Sequence, residues 1–228
     1  MIQDNARVGV VVPMFNAERT IRATLTSICQ QNHQALDIIV VDDGSTDQSA
    51  SIVASCAERD PRIRLMRQSN AGVTQARNSG AASTDAEFLA FVDAEDLWAP
   101  SKIALQLRTL QEGGSSAGLA YCWLAQIDED GRVFALYRPD ANGRVLQRMC
   151  RMNFVGNGSS MLMRRRIRAG GTIRSFPEGQ ECTRLRGPSH VPQDSGKLRI
   201  PCRASAPGGL SDGERQHVER CHSDASLM

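Results

Sequence analysis

The stretch Leu36–Asp47, LDIIVVDDGSTD, decides the fold. Its first six residues are apolar but for Asp37, and Ile38, Ile39, Val40 and Val41 are β-branched, which favours strand over helix. A short, continuous apolar run of this kind reads as a strand buried on both faces. The run stops at Asp42, Asp43 and Gly44. Gly44 permits a turn closed to other residues, and Ser45 with Gln48 three positions on has the pattern of a capping box. A helix is therefore predicted to open at Ser45, with Ile52, Val53, Cys56 and Ala57 as its apolar stripe and Pro61 beyond its end.

The same alternation extends in both directions. Upstream, Val8–Pro13 reads as another buried strand, and Ala17–Gln31 as a helix with Ile21, Leu25 and Ile28 on one side. Downstream come a strand at Ile63–Arg67, a small-residue helix at Ala71–Ala82 and a strand at Glu87–Val92 that ends on Asp93. A further helix follows Pro100, carries Ile103, Leu107 and Leu110, and closes at Gly113-Gly114. This order predicts an α/β domain with a mostly parallel sheet flanked by helices. Ligands of such sheets bind beyond the carboxyl ends of the strands. The polar clusters fall there: Asn16 and Glu18, then Asp42 and Asp43, then Asp93, Glu95 and Asp96. Leu119–Ile127 and Arg132–Tyr137 read as a strand pair around the turn Asp128–Gly131, Val145–Met152 as a short helix, and Ser159–Met163 as a strand.

The chain has 228 residues, enough for one α/β domain and a tail. A formal net charge of +2 gives no electrostatic case for nucleic acid. Val8–Met14 is too short and wrongly flanked for a secretion signal, and no run reaches the roughly 18 apolar residues of a membrane helix. Seven cysteines, an odd number with no C-x-x-C pair, fit a reducing compartment. The expectation is a soluble, cytoplasmic protein. After Gly171 the composition changes: five of the nine prolines and three of the four histidines lie beyond it, and long apolar runs cease. Residues 172–228 are predicted to be a poorly structured tail. Cys202, His217, Cys221 and His222 match no standard metal-site spacing.

Each polar cluster carries two readings. Asp93-Ala94-Glu95-Asp96 is either a solvated turn with Asp96 capping the next helix, or a pair of alternate carboxylates suited to Mg²⁺ or Mn²⁺. Asp43 either favours a helix dipole or accepts a hydrogen bond from a nucleobase. Arg77, in ARNSG after Asn70-Ala71-Gly72, either lies on a solvated face or holds a phosphate or base near a helix start. Arg164, Arg165, Arg166 and Arg168 read as the exposed side of a helix end. No G-x-G-x-x-G, P-loop, G-x-S-x-G or H-E-x-x-H is present. A phospho-acceptor domain would need its acidic pair after the first strand, whereas Asp42-Asp43 follows the second.

Taken together, four segments in order resemble the family 2 glycosyltransferases, inverting enzymes with the GT-A fold: VVVPMFNAERTI, IIVVDDGSTD, NAGVTQARNSG and EFLAFVDAEDLWAP. Weaker similarity through AYCWLAQIDEDGRV and NFVGNGSSMLMRRR extends the resemblance over residues 8–171. It implies a GT-A-like domain at 1–171, with a donor-binding half at 8–113 and a partial acceptor half at 114–171. It further implies that Pro13, Phe15, Glu18 and Asp43 line a nucleobase pocket, that Arg77 holds the nucleotide, and that Asp93 contacts the ribose or a metal. Glu95 would coordinate a divalent Mg²⁺ or Mn²⁺ bridging the diphosphate. The implied reaction transfers a sugar from a nucleotide-sugar donor, UDP-linked, to a glycan, lipid or protein hydroxyl with inversion. Peripheral association with a membrane is compatible with such an acceptor.

Phe15 stands where the family usually has tyrosine, and Glu95 where it usually has aspartate. The larger departure lies downstream. The family continues into a Gly-Gly-aromatic-Asp turn and an acidic pair that supplies the catalytic base. Here Gly170-Gly171 runs into Thr172-Ile173, and Glu178, Glu181 and Asp194 sit in no matching context. The catalytic base is thus unassigned, a shift of reading frame after Gly171 is one expectation, and the alternative function is a nucleotide-sugar-binding remnant without turnover.

Overall fold

The computed structural model describes residues 6–128, 130–143, 145, 148 and 151–165, and the backbone of Lys197–Ile200. The predicted alternation is present. Strand β1 (Val8–Met14) is followed by α1 (Ile21–Cys29), β2 (Leu36–Asp42), α2 (Ser49–Ala57), β3 (Ile63–Arg67), α3 (Val73–Ala82), β4 (Phe88–Phe91), a two-residue β5 (Leu97–Trp98) and α4 (Lys102–Glu112). Then come β6 (Leu119–Tyr121), β7 (Leu124–Ile127), β8 (Val133–Tyr137), β9 (Met161–Arg164) and β10 (Lys197–Ile200). The main sheet has the order β3-β2-β1-β4-β9-β6. Its first four strands are parallel, and β9 runs antiparallel to both β4 and β6. The sheet is therefore mixed but mostly parallel, with helices on both faces.

Strand periodicity assigns each side chain to a face. Val8, Val10, Val12 and Met14 of β1, with Ile38 and Val40 of β2, pack beneath Ile21, Leu25 and Ile28 of α1, Val53 of α2 and Ile103, Leu107 and Leu110 of α4. Val11, Ile39, Val41, Leu89 and Phe91 face the other way, against Ala76 and Ala81 of α3. Each fully buried aliphatic side chain contributes about 1.5–3 kcal/mol, so this two-faced core dominates the stability of the domain. The small residues of α3 let it lie close to the sheet. A Cβ on Gly80 would lie 2.4 Å from Val11 Cγ1.

Three local expectations are corrected. The helix predicted from Ser45 opens at Ser49, because the Ser45 hydroxyl accepts the Asn16 N–H across the loop (3.0 Å) instead of capping its own helix. Leu119–Ile127 is not one strand: the chain bends at Cys122 and Trp123, with Cys122 N–H donating to the Ser160 carbonyl (3.2 Å). Its first part joins the main sheet, and its second pairs with β8 in a separate sheet ordered β5-β10-β7-β8. Arg164 is not on an exposed helix end, and Arg165, although helical, is half-buried rather than exposed. Arg164 belongs to β9, contacts Glu87 (3.0 Å) and the carbonyls of Ala117 and Leu110, and lies over the Phe88 ring. Arg165 donates to the carbonyls of Ala81, Thr84 and Ala86.

Of the helix predicted at Val145–Met152, Arg148 and Arg151 are described as helical, and Met152 N–H donates to the Arg148 carbonyl (2.9 Å). Arg166, Arg168 and the tail 172–228 lie outside the described residues, except that Lys197–Ile200 pairs with β5 and β7. No helix among the described residues is long and apolar enough to cross a membrane.

Candidate functional site

The crossovers carry the chain from β1 through β2 to β3 on one side, and β4 sits on the other side of β1. The sheet order therefore reverses between β1 and β4, and a crevice is expected at their carboxyl ends. The loop after β1 contains Phe15 and Glu18, the loop after β2 contains Asp43, and the loop after β4 contains Asp93 and Glu95. All lie at the carboxyl ends of neighbouring strands.

The first two loops are laced together. Asn16, left-handed at φ 48°, receives the Thr46 N–H on its Oδ1 (2.9 Å). Ala17 N–H donates to Ser49 Oγ (2.7 Å), and Glu18 N–H to Asp47 Oδ2 (3.1 Å). The Glu18 carboxylate accepts the Gln48 N–H (2.9 Å) just ahead of α2. Pro13 is buried in β1 opposite Val41. Phe15 is 51% exposed, an aromatic face open to stacking at the rim.

Asp43 is buried and closely held. Its Oδ1 accepts from Gln68 Nε2 (2.7 Å) and Ala71 N (2.9 Å), and its Oδ2 from Gly72 N (2.8 Å). Three of its roughly four lone-pair positions thus order the Asn70–Gly72 loop, where Gly72 takes φ 87° to start α3. Asp42 is also structural: its Oδ1 accepts the Ser45 N–H (3.0 Å).

Arg77 reaches from α3 across to the loop after β4, and its guanidinium is paired with Asp93 Oδ1. Glu95 is exposed. Partial shielding from water, and then the charge of Asp93, raise its carboxyl above the ordinary range, while Arg77 opposes the shift. Asp96 is buried at 3% exposure, and burial pushes its carboxyl up to about 7. It accepts from Asn157 Nδ2 (2.8 Å) and does not cap α4, which begins at Lys102. Two buried polar atoms here have no partner among the described residues: Arg77 Nε and Asn157 Oδ1.

The structure therefore brings Arg77, Asp93 and Glu95 into one charged cluster and sets Phe15 and Glu18 on the rim of the neighbouring loops. Asp47, Asn157 and Ser159 escaped the sequence reading, which named Asn16 only as part of the polar cluster after the first strand. Asn16 stands between strand and helix in VVVPMFNAERTI, where a left-handed Asn is a recognisable turn signal. Asn157-Gly158 is a turn dipeptide, but nothing local marks Asn157 or Ser159 as a partner of the acidic loop.

Among the described residues no group of three His, Cys, Asp or Glu could hold a metal ion. A closed protein cage is therefore absent from that region. Asp93 and Glu95 instead offer two hard carboxylate ligands whose mutual repulsion a cation would relieve. Mg²⁺ is commonly held by one or two carboxylates with substrate phosphates completing the shell. The donor set fits a cation that arrives with a diphosphate.

The mostly parallel α/β sheet with an acidic loop at its switch point is similar in fold to solved glycosyltransferases, which places it in the GT-A fold class. The chain belongs to glycosyl transferase family 2, which it matches over residues 9–168. It is 40% identical over 96 residues to the glycosyltransferase YibD of Escherichia coli (strain K12), covering 42% of this chain and 28% of that protein. It is 32% identical over 139 residues to EpsJ of Bacillus subtilis (strain 168), covering 61% and 40%. In fold it is similar to S. aureus TarS, with a TM-score of 0.56 at 20% identity, covering 72% of this chain and 48% of that one. The mannosyltransferase PcManGT from Pyrobaculum calidifontis gives a TM-score of 0.53 at 22% identity, covering 72% and 46%. The chain thus spans less than half the length of each of these proteins.

Proposed function

We propose that this chain binds a UDP-linked sugar in the crevice between β1 and β4 and transfers the sugar to an acceptor hydroxyl with inversion. The single observation that carries the reading is the convergence of Arg77, Asp93 and Glu95 at the end of β4, where the sheet order reverses. Phe15 stacks on the base, and Pro13, Glu18 and Asp43 shape the pocket around it. Arg77 holds the nucleotide side through Asp93. Asp93 and Glu95 would hold Mg²⁺ or Mn²⁺, which would supply positive charge for the departing diphosphate. Two neighbours support the donor class: TarS has been solved with UDP-GlcNAc, and PcManGT with GDP-Man and Mn²⁺. The acceptor is a glycan, lipid or protein hydroxyl.

Calorimetry tests the donor half. UDP binding is expected to strengthen with Mn²⁺ and to fall at least tenfold in Asp43→Ala and in Glu95→Ala, roughly the loss that removing a charged contact brings. Tight UDP binding that ignores both the metal and Glu95→Ala sinks the metal assignment. Transfer is tested by UDP release on incubation with several UDP-sugars and an acceptor extract. Retained binding with no release in any mixture turns the reading to the non-catalytic remnant.

A further inference from the structure

We propose that the turn Asn157–Ser160, contributed by the downstream part of the chain, is the positioning element of the donor site: it fixes Arg77, Asp93 and Asp96 relative to one another. The inference rests on the donor reading above. Between Asp93 and β5 the acidic loop has little regular structure of its own; its internal backbone bond is Asp96 N–H to the Asp93 carbonyl (3.0 Å). Helix α1 holds it at two points, Thr24 Oγ1 donating to the Ala94 carbonyl (2.8 Å) and Ser27 Oγ accepting the Trp98 N–H (3.1 Å). The anchors nearest its carboxylates come from a turn more than sixty residues later. Ser159 Oγ accepts the Asp93 N–H (2.9 Å), and Asn157 Nδ2 donates to Asp96 Oδ2 (2.8 Å). The Ser159 carbonyl accepts Trp98 Nε1–H (3.0 Å) at the far end of the loop. Gly158 lies against the third partner: a Cβ there would be 3.3 Å from Arg77 Nη2.

The turn is itself held rigidly. Ser159 and Ser160 are fully buried, Ser160 Oγ donates to the Val155 carbonyl (2.9 Å), and Gln106 Nε2 of α4 donates to the Ser160 carbonyl (2.7 Å). A rigid support that grips both ends of a loop and touches the cation paired with it sets carboxylate geometry, and such supporting contacts typically change metal affinity about 10–100-fold. Ser159 touches no donor atom in this scheme; it acts through Asp93. The site is therefore completed by residues well beyond the four segments that resemble the family most closely.

The test uses the full chain and measures UDP affinity with and without Mn²⁺. Ser159→Ala removes the acceptor for Asp93 N–H. Gly158→Ala removes no hydrogen bond, and Gly158 is not among the positive-φ glycines, so the added methyl acts only by pressing on Arg77. Both are expected to lower the Mn²⁺-dependent gain in UDP affinity about tenfold or more, and Gly158→Ala, which displaces Arg77, is expected to lower metal-free UDP affinity as well. Ile63→Val, a core change in β3 at the far edge of the main sheet from β4, is expected to alter neither. Amide hydrogen exchange supplies a readout that needs no ligand: exchange across Val92–Trp98 rises in Ser159→Ala and not in Ile63→Val. If wild type shows the Mn²⁺-dependent gain and both variants keep it, this inference is overturned alone. A wild type whose UDP affinity ignores Mn²⁺ overturns the metal reading, and this inference with it.

Discussion

Among single residues, the clearest contrast is between carboxylates that hold the fold and those poised for a ligand. Asp60 belongs to the first kind. Its carboxylate accepts from Arg62 Nε and Nη2, and those bonds hold it down at about 2. Arg62 also reaches Gln34 Oε1 (2.7 Å) and the Cys29 carbonyl (3.2 Å), tying the start of β3 to the end of α1. A carboxyl depressed below its unfolded value adds stability above about pH 4 and loses it as pH falls toward 2. Asp60→Asn is expected to cost about 1–2 kcal/mol at pH 7, with the difference vanishing near pH 2. Urea denaturation across that range checks both the size and the direction. Asp96 behaves oppositely: raised to about 7 by burial, it favours the folded state least above that pH. The sequence shows that Asp42, Asp43, Asp93, Glu95 and Asp96 sit at strand ends. It does not show which are already engaged, because partners such as Gln68, Arg77 and Asn157 lie far along the chain.

At the scale of elements, apolar periodicity located β1 to β4 and α1 to α4 to within a few residues, since each is long enough for its burial pattern to repeat. It failed where a polar group, side chain or backbone, had a partner elsewhere in the chain. Ser45 gave up its cap to Asn16, and the 119–127 strand split where Cys122 bonded to the Ser160 carbonyl. Helix α3 illustrates how an element can be legible in kind while its packing is not. The sequence marks it as rich in small residues; only the structure shows that Gly80 rides on Val11. Alanine is the better helix former, yet Gly80→Ala is expected to destabilise by about 1–3 kcal/mol through overpacking. A thermal melt that shows stabilisation would refute that packing account.

For the whole molecule, the unusual surface is β8, at the edge of the second sheet among the described residues. Val133, Phe134, Leu136 and Tyr137 are all exposed there, next to a strand edge with unpaired backbone groups. Exposed apolar edges promote association between chains. Phe134→Lys is expected to change stability by less than about 0.5 kcal/mol while reducing concentration-dependent light scattering. Unchanged scattering would show that the edge is not what brings chains together.

The sequence by itself determined the α/β alternation, the family and the strand ends at which a site would form, because burial periodicity and turn chemistry are local and repeat within each segment. Tertiary structure decided the rest: that Asp43 orders a loop, that Arg77 spends its charge on Asp93, and that the acidic loop hangs from Asn157 and Ser159. Those contacts join residues far apart in the chain, and a hydrogen bond leaves no periodic trace in sequence. Only the folded geometry selects which of many possible donors and acceptors meet.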